Sequence, residues 1–124
     1  MQDKITSKQQ GDTAEALAAQ YFARNGYTVL ERNFKTREGE VDLVVEKGIA
    51  LVFVEVRFRK SVAFGTPLDT VHHGKRRKVL LAALEWVTRH EQMNRLIRFD
   101  VLSVRDSRSG PRLEHIEDAF EANM

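Results

Sequence analysis

The sequence contains no cysteine. Disulfide staples, thiolate zinc sites and thiol nucleophiles are therefore excluded. With 2 proline and 7 glycine in 124 residues, it is neither collagen-like nor a low-complexity chain. Long apolar runs are missing as well. The longest, Ile49–Val54 and Val79–Leu84, fall far short of the ~20 residues that a membrane-spanning helix requires. Met1 to Ser7 carries no apolar stretch of the secretory type, so the cytoplasm is the default expectation. A glycine-rich phosphate loop and a Gly-x-Ser-x-Gly elbow are both lacking, which leaves nucleotide cofactors and serine hydrolysis without support.

What is present fits one globular domain over residues 1–124, with 1–10 and 121–124 as loose ends. The chain is 42% hydrophobic and 31% charged. A chain of this length buries about 65–70% of its unfolded surface, enough for a core without staples. The net charge of +2 is small, but its distribution is uneven. Between Arg57 and Lys78 stand seven basic residues and one acid, Asp69. Acids gather instead at Glu38, Glu40, Asp42 and Glu46, and from Gly110 onward four acids face one arginine, Arg112. A basic segment attracts phosphates and clustered carboxylates attract hard cations, although two solvated faces would look the same.

Periodicity predicts the order α-β-β-β-α-β-β. Ala14, Leu17, Ala18, Tyr21 and Phe22 form one helical stripe, with Ser7 and Gln10 as a capping pair and Gly26 as the stop. Strands are expected at Tyr27–Phe34, Glu40–Glu46 and Ile49–Phe58, the last apolar on both faces and hence central. Ser61–Pro67 reads as a loop, and Thr66 to Asp69 as the start of one short turn. A second helix runs from about His73 to His90, with Val79, Leu80, Ala83, Leu84 and Val87 inward. Ile97–Leu102 alternates as a fourth strand, and Arg112–Ile116 reads as a fifth at an edge.

A two-residue turn at Lys47-Gly48 would pair Glu46 with Ile49 and set Asp42 opposite Phe53. Asp42, Glu55 and Arg57 then share one face, with the two carboxylates diagonal neighbours able to hold one divalent ion. Glu55 is the odd residue, standing inside Leu51–Val56, a run that otherwise reads as buried strand. A buried carboxylate costs several kcal/mol unless a metal or a cation compensates it. Mg²⁺ suits such a pair, but a salt bridge to Arg57 or Arg59 would satisfy Glu55 equally, and the residues alone leave both open.

Several fragments carry a family resemblance. They are Gly11-x-x-x-Glu15, Gly26-Tyr27, Arg32-Asn33-Phe34, Gly39-Glu40-Val41-Asp42, Phe53-Val54-Glu55-Val56-Arg57, Phe64-Gly65-x-Pro67, Lys75 or Lys78, Arg98-Phe99-Asp100-Val101 and Asp118-Ala119-Phe120. In this order they resemble the YraN family, which is similar to Holliday junction resolvases and to the PD-(D/E)XK, restriction-endonuclease-like nucleases. The resemblance implies that fold, a central mixed sheet flanked by helices. It implies a metal-dependent endonuclease acting on DNA, branched or linear, with Mg²⁺ or Mn²⁺ as cofactor, no membrane association, and a homodimer by analogy with resolvases.

By the same resemblance Asp42 and Glu55 are the metal ligands and Glu15 supports metal or water; Glu40, on the Asp42 side of its strand, would be a further ligand or a support. Arg57 occupies the place where the nuclease motif has lysine. Arginine cannot act as a base and prefers a fixed fork to phosphate or carboxylate, so it either holds the phosphate or locks Glu55. Arg59, Lys60, Lys75, Arg76 and Lys78 would track a nucleic-acid backbone. A non-catalytic nucleic-acid-binding module and a protein-interaction domain remain the alternatives. His72 and His73 are adjacent, which is not helical ligand spacing, and Trp86 and Tyr21 read as core rather than as base platforms. Asp100, at the place of the family's Phe-Asp-Val, is expected to fix structure or to support the site's ligands from behind.

Overall fold

A computed structural model describes residues 7–59 and 73–121. The expectations for Lys60, Ser61–Pro67, Thr66–Asp69 and His72 lie outside the described residues, as do those for the Ser7 and Gln10 side chains.

The elements follow the order read from periodicity: α1 (Ser7–Arg24), β1 (Thr28–Lys35), β2 (Glu40–Lys47), β3 (Ala50–Arg59), α2 (His73–Arg89), β4 (Leu96–Arg105) and β5 (Arg112–Ile116). They form one sheet with the strands in sequence order. The pairs β1–β2, β2–β3 and β4–β5 are antiparallel, and β3–β4 is parallel. The fold is thus α/β, a mixed sheet with helices on both faces. β3 takes the middle, as its apolar run requires, and β5 takes an edge.

α1 covers one face, where Ala14, Ala18 and Phe22 meet Leu43, Val45, Val52, Val54, Leu102 and Val104. α2 covers the other, where Val79, Ala82, Ala83 and Trp86 meet Val44, Leu51, Phe53, Phe99 and Val101. The α2 stripe differs from its sequence reading. Leu84 is 52% exposed and Ala82 turns inward instead, while Trp86 takes the core place expected of it. Trp86 lies edge-on to Phe53 and donates its indole N–H to Glu31 at 2.8 Å, so a large ring with one polar handle serves better there than leucine. α1 stops at Gly26 (φ +86°), with Tyr27 N–H donating to Phe22 and Gly26 N–H to Ala23, a Schellman closure that only a left-handed residue permits cheaply.

The β2–β3 register differs by two residues from the expected one. Lys47 pairs with Ala50, so the turn is Gly48-Ile49 rather than Lys47-Gly48. Gly48 has φ +60°, and a left-handed glycine at the first turn position matches the II′ hairpin. Ile49 is therefore turn, not strand. A shift of two keeps every side chain on its expected face, but it changes what stands opposite Asp42.

The face under α1 holds a buried polar cluster at Asp100. Arg98 donates to both of its carboxylate oxygens at 2.8 Å, Asp118 N–H donates at 3.0 Å, and His115 Nε2 lies 2.6 Å away. His115 Nδ1 in turn meets the Tyr21 hydroxyl at 2.9 Å. Asp100 is the structural residue expected, and it ties β4, β5, the C-terminal turn and α1 together.

Candidate active site

β2 and β3 part company at one end of the sheet. Their pairing runs from Lys47↔Ala50 to Leu43↔Val54 and stops there. One step further, Asp42 stands across from Glu55, not from Phe53. Its Oδ2 accepts the Val56 N–H at 2.8 Å, taking the place of a ladder carbonyl. The carboxylate is thereby held in the wedge between the separating strands.

Glu55 sits beside it, with 3% of its side chain exposed. Its Oε1 lies 3.0 Å from the Lys75 ammonium on α2, and 3.8 Å from Arg57 Nη2. Among the described residues its Oε2 has no hydrogen-bond partner, nor has Arg57 Nε. Arg57 thus pairs with Glu55 as expected, at the longer distance, and Lys75 is the closer cation. The third carboxylate, Glu15, comes from α1. Its Oε1 is likewise buried and unpartnered, while the Asn33 amide donates to the same group. Asn33 lies across from Asp42, bracketed by the pairs Arg32↔Leu43 and Phe34↔Val41. It has φ +54°, a left-handed conformation that asparagine tolerates better than most residues.

The three acids disturb one another. Burial first, and Asp42 second, push Glu55 up to about 7 against the opposing pull of Lys75 and Arg57. Burial likewise raises Asp42, with Glu40 adding to it and the Val56 N–H, Lys75 and Arg57 opposing. Glu15 is raised by burial and then by Asp42. Buried acids pushing each other upward mark a place where positive charge is wanted.

No three His, Asp or Glu side chains among the described residues gather into a ready-made metal cage. The pair Asp42 and Glu55 nevertheless fits Mg²⁺ or Mn²⁺. The two carboxylates stand across from each other on β2 and β3, one buried Glu55 oxygen has no partner among the described residues, and Mg²⁺ characteristically takes one or two carboxylates and keeps its waters.

Beside the acids opens a cleft of about 360 Å³ between the β1–β2 turn, Lys35 to Glu40, and Lys75 and Lys78 of α2. Thr36 shapes that turn. Its hydroxyl donates to Gly39 O at 2.9 Å and accepts from Gly39 N–H at 3.0 Å. Gly39 presses against α2, where a Cβ would lie 2.1 Å from Lys78 O, so no side chain fits.

The structure thus brings Glu15, Asp42, Glu55, Arg57 and Lys75 together, with Lys78 on the adjoining cleft. Arg76 is turned elsewhere, its guanidinium 5.5 Å from the Phe120 ring centre. Arg59 ends β3, two positions beyond Arg57 on the same face. Two features escaped sequence reading, the role of Asn33, named only within a family fragment, and the pairing of Lys75 with Glu55. The first left one signal, an asparagine inside a strand, where it is disfavoured. The second left none, because it joins two elements through tertiary packing.

These features define a class: a mixed-sheet α/β protein with buried carboxylates converging where two strands divide. A family model described as "Uncharacterised protein family UPF0102" matches residues 14–104, and the chain belongs to that family, as the YraN resemblance implied. It is 43% identical over 117 residues to a UPF0102 protein of Geobacter metallireducens, covering 94% of this chain and 96% of that one. It is 47% identical over 113 residues to one from Anaeromyxobacter dehalogenans, covering 91% and 84%. Among solved structures, it is similar to Pyrococcus furiosus SfsA in complex with Ca²⁺, with a TM-score of 0.40 and 12% identity over 91% of this chain. It spans 64% of that chain's length. No helix among the described residues is long and apolar enough to cross a membrane.

Proposed function

We propose that this chain is a metal-dependent nuclease of the PD-(D/E)XK type, hydrolysing phosphodiesters of DNA, including branched DNA. One observation carries the reading. Glu55 is buried with one oxygen on Lys75 and the other without a partner among the described residues, across from Asp42. Asp42 and Glu55 would hold Mg²⁺ or Mn²⁺. When bound, such an ion polarises a phosphate and lowers the pKa of a coordinated water.

The chain's own residues supply the rest. Lys75 provides the movable ammonium that the motif's lysine would supply at position 57, delivered from α2 instead of β3. Arg57, whose Nε has no partner among the described residues, offers its fork to the scissile phosphate and to the charge that develops there. Glu15, fixed by Asn33, orients a water or supports the ion from the α1 side. Glu40 lies near enough to Asp42 to raise it and serves as an outer acid. Lys78 and the Lys35–Glu40 cleft receive the neighbouring backbone.

A second reading has its own support. The Lys75–Glu55 pair at 3.0 Å already neutralises one carboxylate, as a nucleic-acid-binding module without catalysis would have it. Cleavage of a labelled four-way junction and a matched duplex with Mn²⁺ separates the two. The nuclease reading expects activity in the wild type and a loss of at least a hundredfold in Asp42→Ala, Glu55→Ala and Lys75→Ala. Binding without cleavage, equal in all four proteins, establishes the second reading instead.

A further inference from the structure

Beyond Glu55, the sheet face on the α2 side carries an unusual row. Arg59 pairs in register with Arg105 on β4, and Arg105 with Arg112 on β5. Register partners point to the same side, so three guanidinium stems stand abreast on three adjacent strands. Neighbouring strands lie about 4.8 Å apart. Like charges directly opposite one another destabilise a sheet. Among the described residues none of the three forms an ion pair. The nearest acid in register is Glu114, one row back with Arg57 and Ser103, and it is exposed. Arg105, Arg112, Ser103 and Glu114 line a hollow of about 260 Å³. Arg57 and Arg59 continue the line from Glu55 along β3, so the row lies about 13 Å from that carboxylate at ~3.3 Å per residue.

We infer that the row Arg59, Arg105 and Arg112 is a phosphate-backbone subsite for a nucleic-acid strand that also reaches the carboxylates. The inference rests on the nucleic-acid reading of the site and extends it to β4 and β5. Three abutting cations without a counter-ion among the described residues attract an anion between them, and arginine forks match phosphate oxygens. One strand carries a charge about every 3.4 Å of helix axis, so ~13 Å spans a few nucleotides. The hollow and the Lys75–Lys78 cleft flank the acids on opposite sides. The strand would therefore run across the end of the sheet, from the β1–β2 turn past Asp42 and Glu55 to β5.

The test is the salt dependence of binding to a fluorescein-labelled duplex, as DNA and as RNA of the same sequence. It compares wild type, Arg112→Gln, Arg105→Gln with Arg112→Gln, and Arg24→Gln at the far end of α1. Each lost phosphate contact should flatten the slope of log K against log salt by ~0.9. The single and double variants should thus lose about one and two units, while Arg24→Gln matches wild type. Arg112 is exposed, so its single variant folds and keeps the test decisive. Equal losses on DNA and RNA assign the row to the shared backbone, and loss on one alone assigns it to that polymer. Wild-type slopes in both variants, or no binding by wild type, overturn the inference. Cleavage assayed on the same proteins keeps the two claims apart. Unchanged slopes with intact cleavage sink the row alone, whereas flattened slopes without any cleavage sink the nuclease alone.

Discussion

Glu55 decides most of what this site does, through its surroundings. An acid raised in the folded state to about 7 from an ordinary 4.5 holds its proton where the unfolded chain has lost it. Its contribution to stability is therefore complete below about pH 4.5 and is lost as pH rises through about 7. Glu55→Gln removes this dependence. Thermal melts at pH 8 should show the variant more stable than wild type, by roughly 3 kcal/mol at most, since one pKa unit is worth about 1.4 kcal/mol. At pH 4.5 the two should nearly coincide. Lys75→Ala should act oppositely, destabilising by about 1 kcal/mol at pH 8, because Glu55 loses its nearest cation and the cost of protonating it there caps the loss. Near pH 4.5 that cost should be much smaller, because the acid is already neutral. A divalent ion should raise the melting temperature at pH 8 in wild type and leave Glu55→Gln unmoved. An equal rise in both would remove Glu55 from the ligand set.

Elements place these residues by contact rather than by propensity. The β1–β2 turn is pinned to α2 through Gly39, and the same contact sets Asp42 near Lys75. Gly39→Ala puts a methyl where Lys78 O already stands, so the turn must lift or the helix must shift. Overpacking of this kind costs typically 1–3 kcal/mol. Urea unfolding should show a loss in that range, and metal affinity should fall with it because the Asp42 strand moves relative to Glu55. A variant with wild-type stability and affinity would mean that the turn closes on α2 without that contact. The elements also show where pattern reading holds. Strand β3 was readable because burial on both faces demands an unbroken apolar run. The α2 stripe was misplaced at Leu84 because helical periodicity alone does not say how far round the buried arc extends.

At the level of the whole molecule, two buried acids set opposite limits on pH. Asp100 is pushed up by burial, yet His115, the Arg98 fork and the Asp118 N–H outweigh it and hold it below the ordinary carboxylate range. Its contribution is present above about pH 3.8 and is lost as pH falls through its lower folded value. Glu55 weakens the fold from the alkaline side. Stability followed by denaturant melts should therefore form a narrow plateau at about pH 4 to 4.5 and decline toward about pH 7, and Glu55→Gln should extend the plateau upward. Asp100→Ala strands Arg98 and His115 and should cost about 3–5 kcal/mol across that plateau. A loss below 1 kcal/mol would show that the cluster does not tie β5 and α1 to the sheet.

The sequence alone determined the order of elements, the central place of β3, and the shared face of Asp42, Glu55 and Arg57. Each follows from periods of two or 3.6, or from the cost of a charge inside an apolar run, and those are local properties. Tertiary structure decided the rest. A left-handed Gly48 moved the hairpin by two residues and set Asp42 across from Glu55. Packing of α2 on the sheet delivered Lys75 to Glu55 beside Arg57, and strand register lined up Arg59, Arg105 and Arg112. Side chains far apart in the chain meet through register and helix packing, and no local period encodes either one.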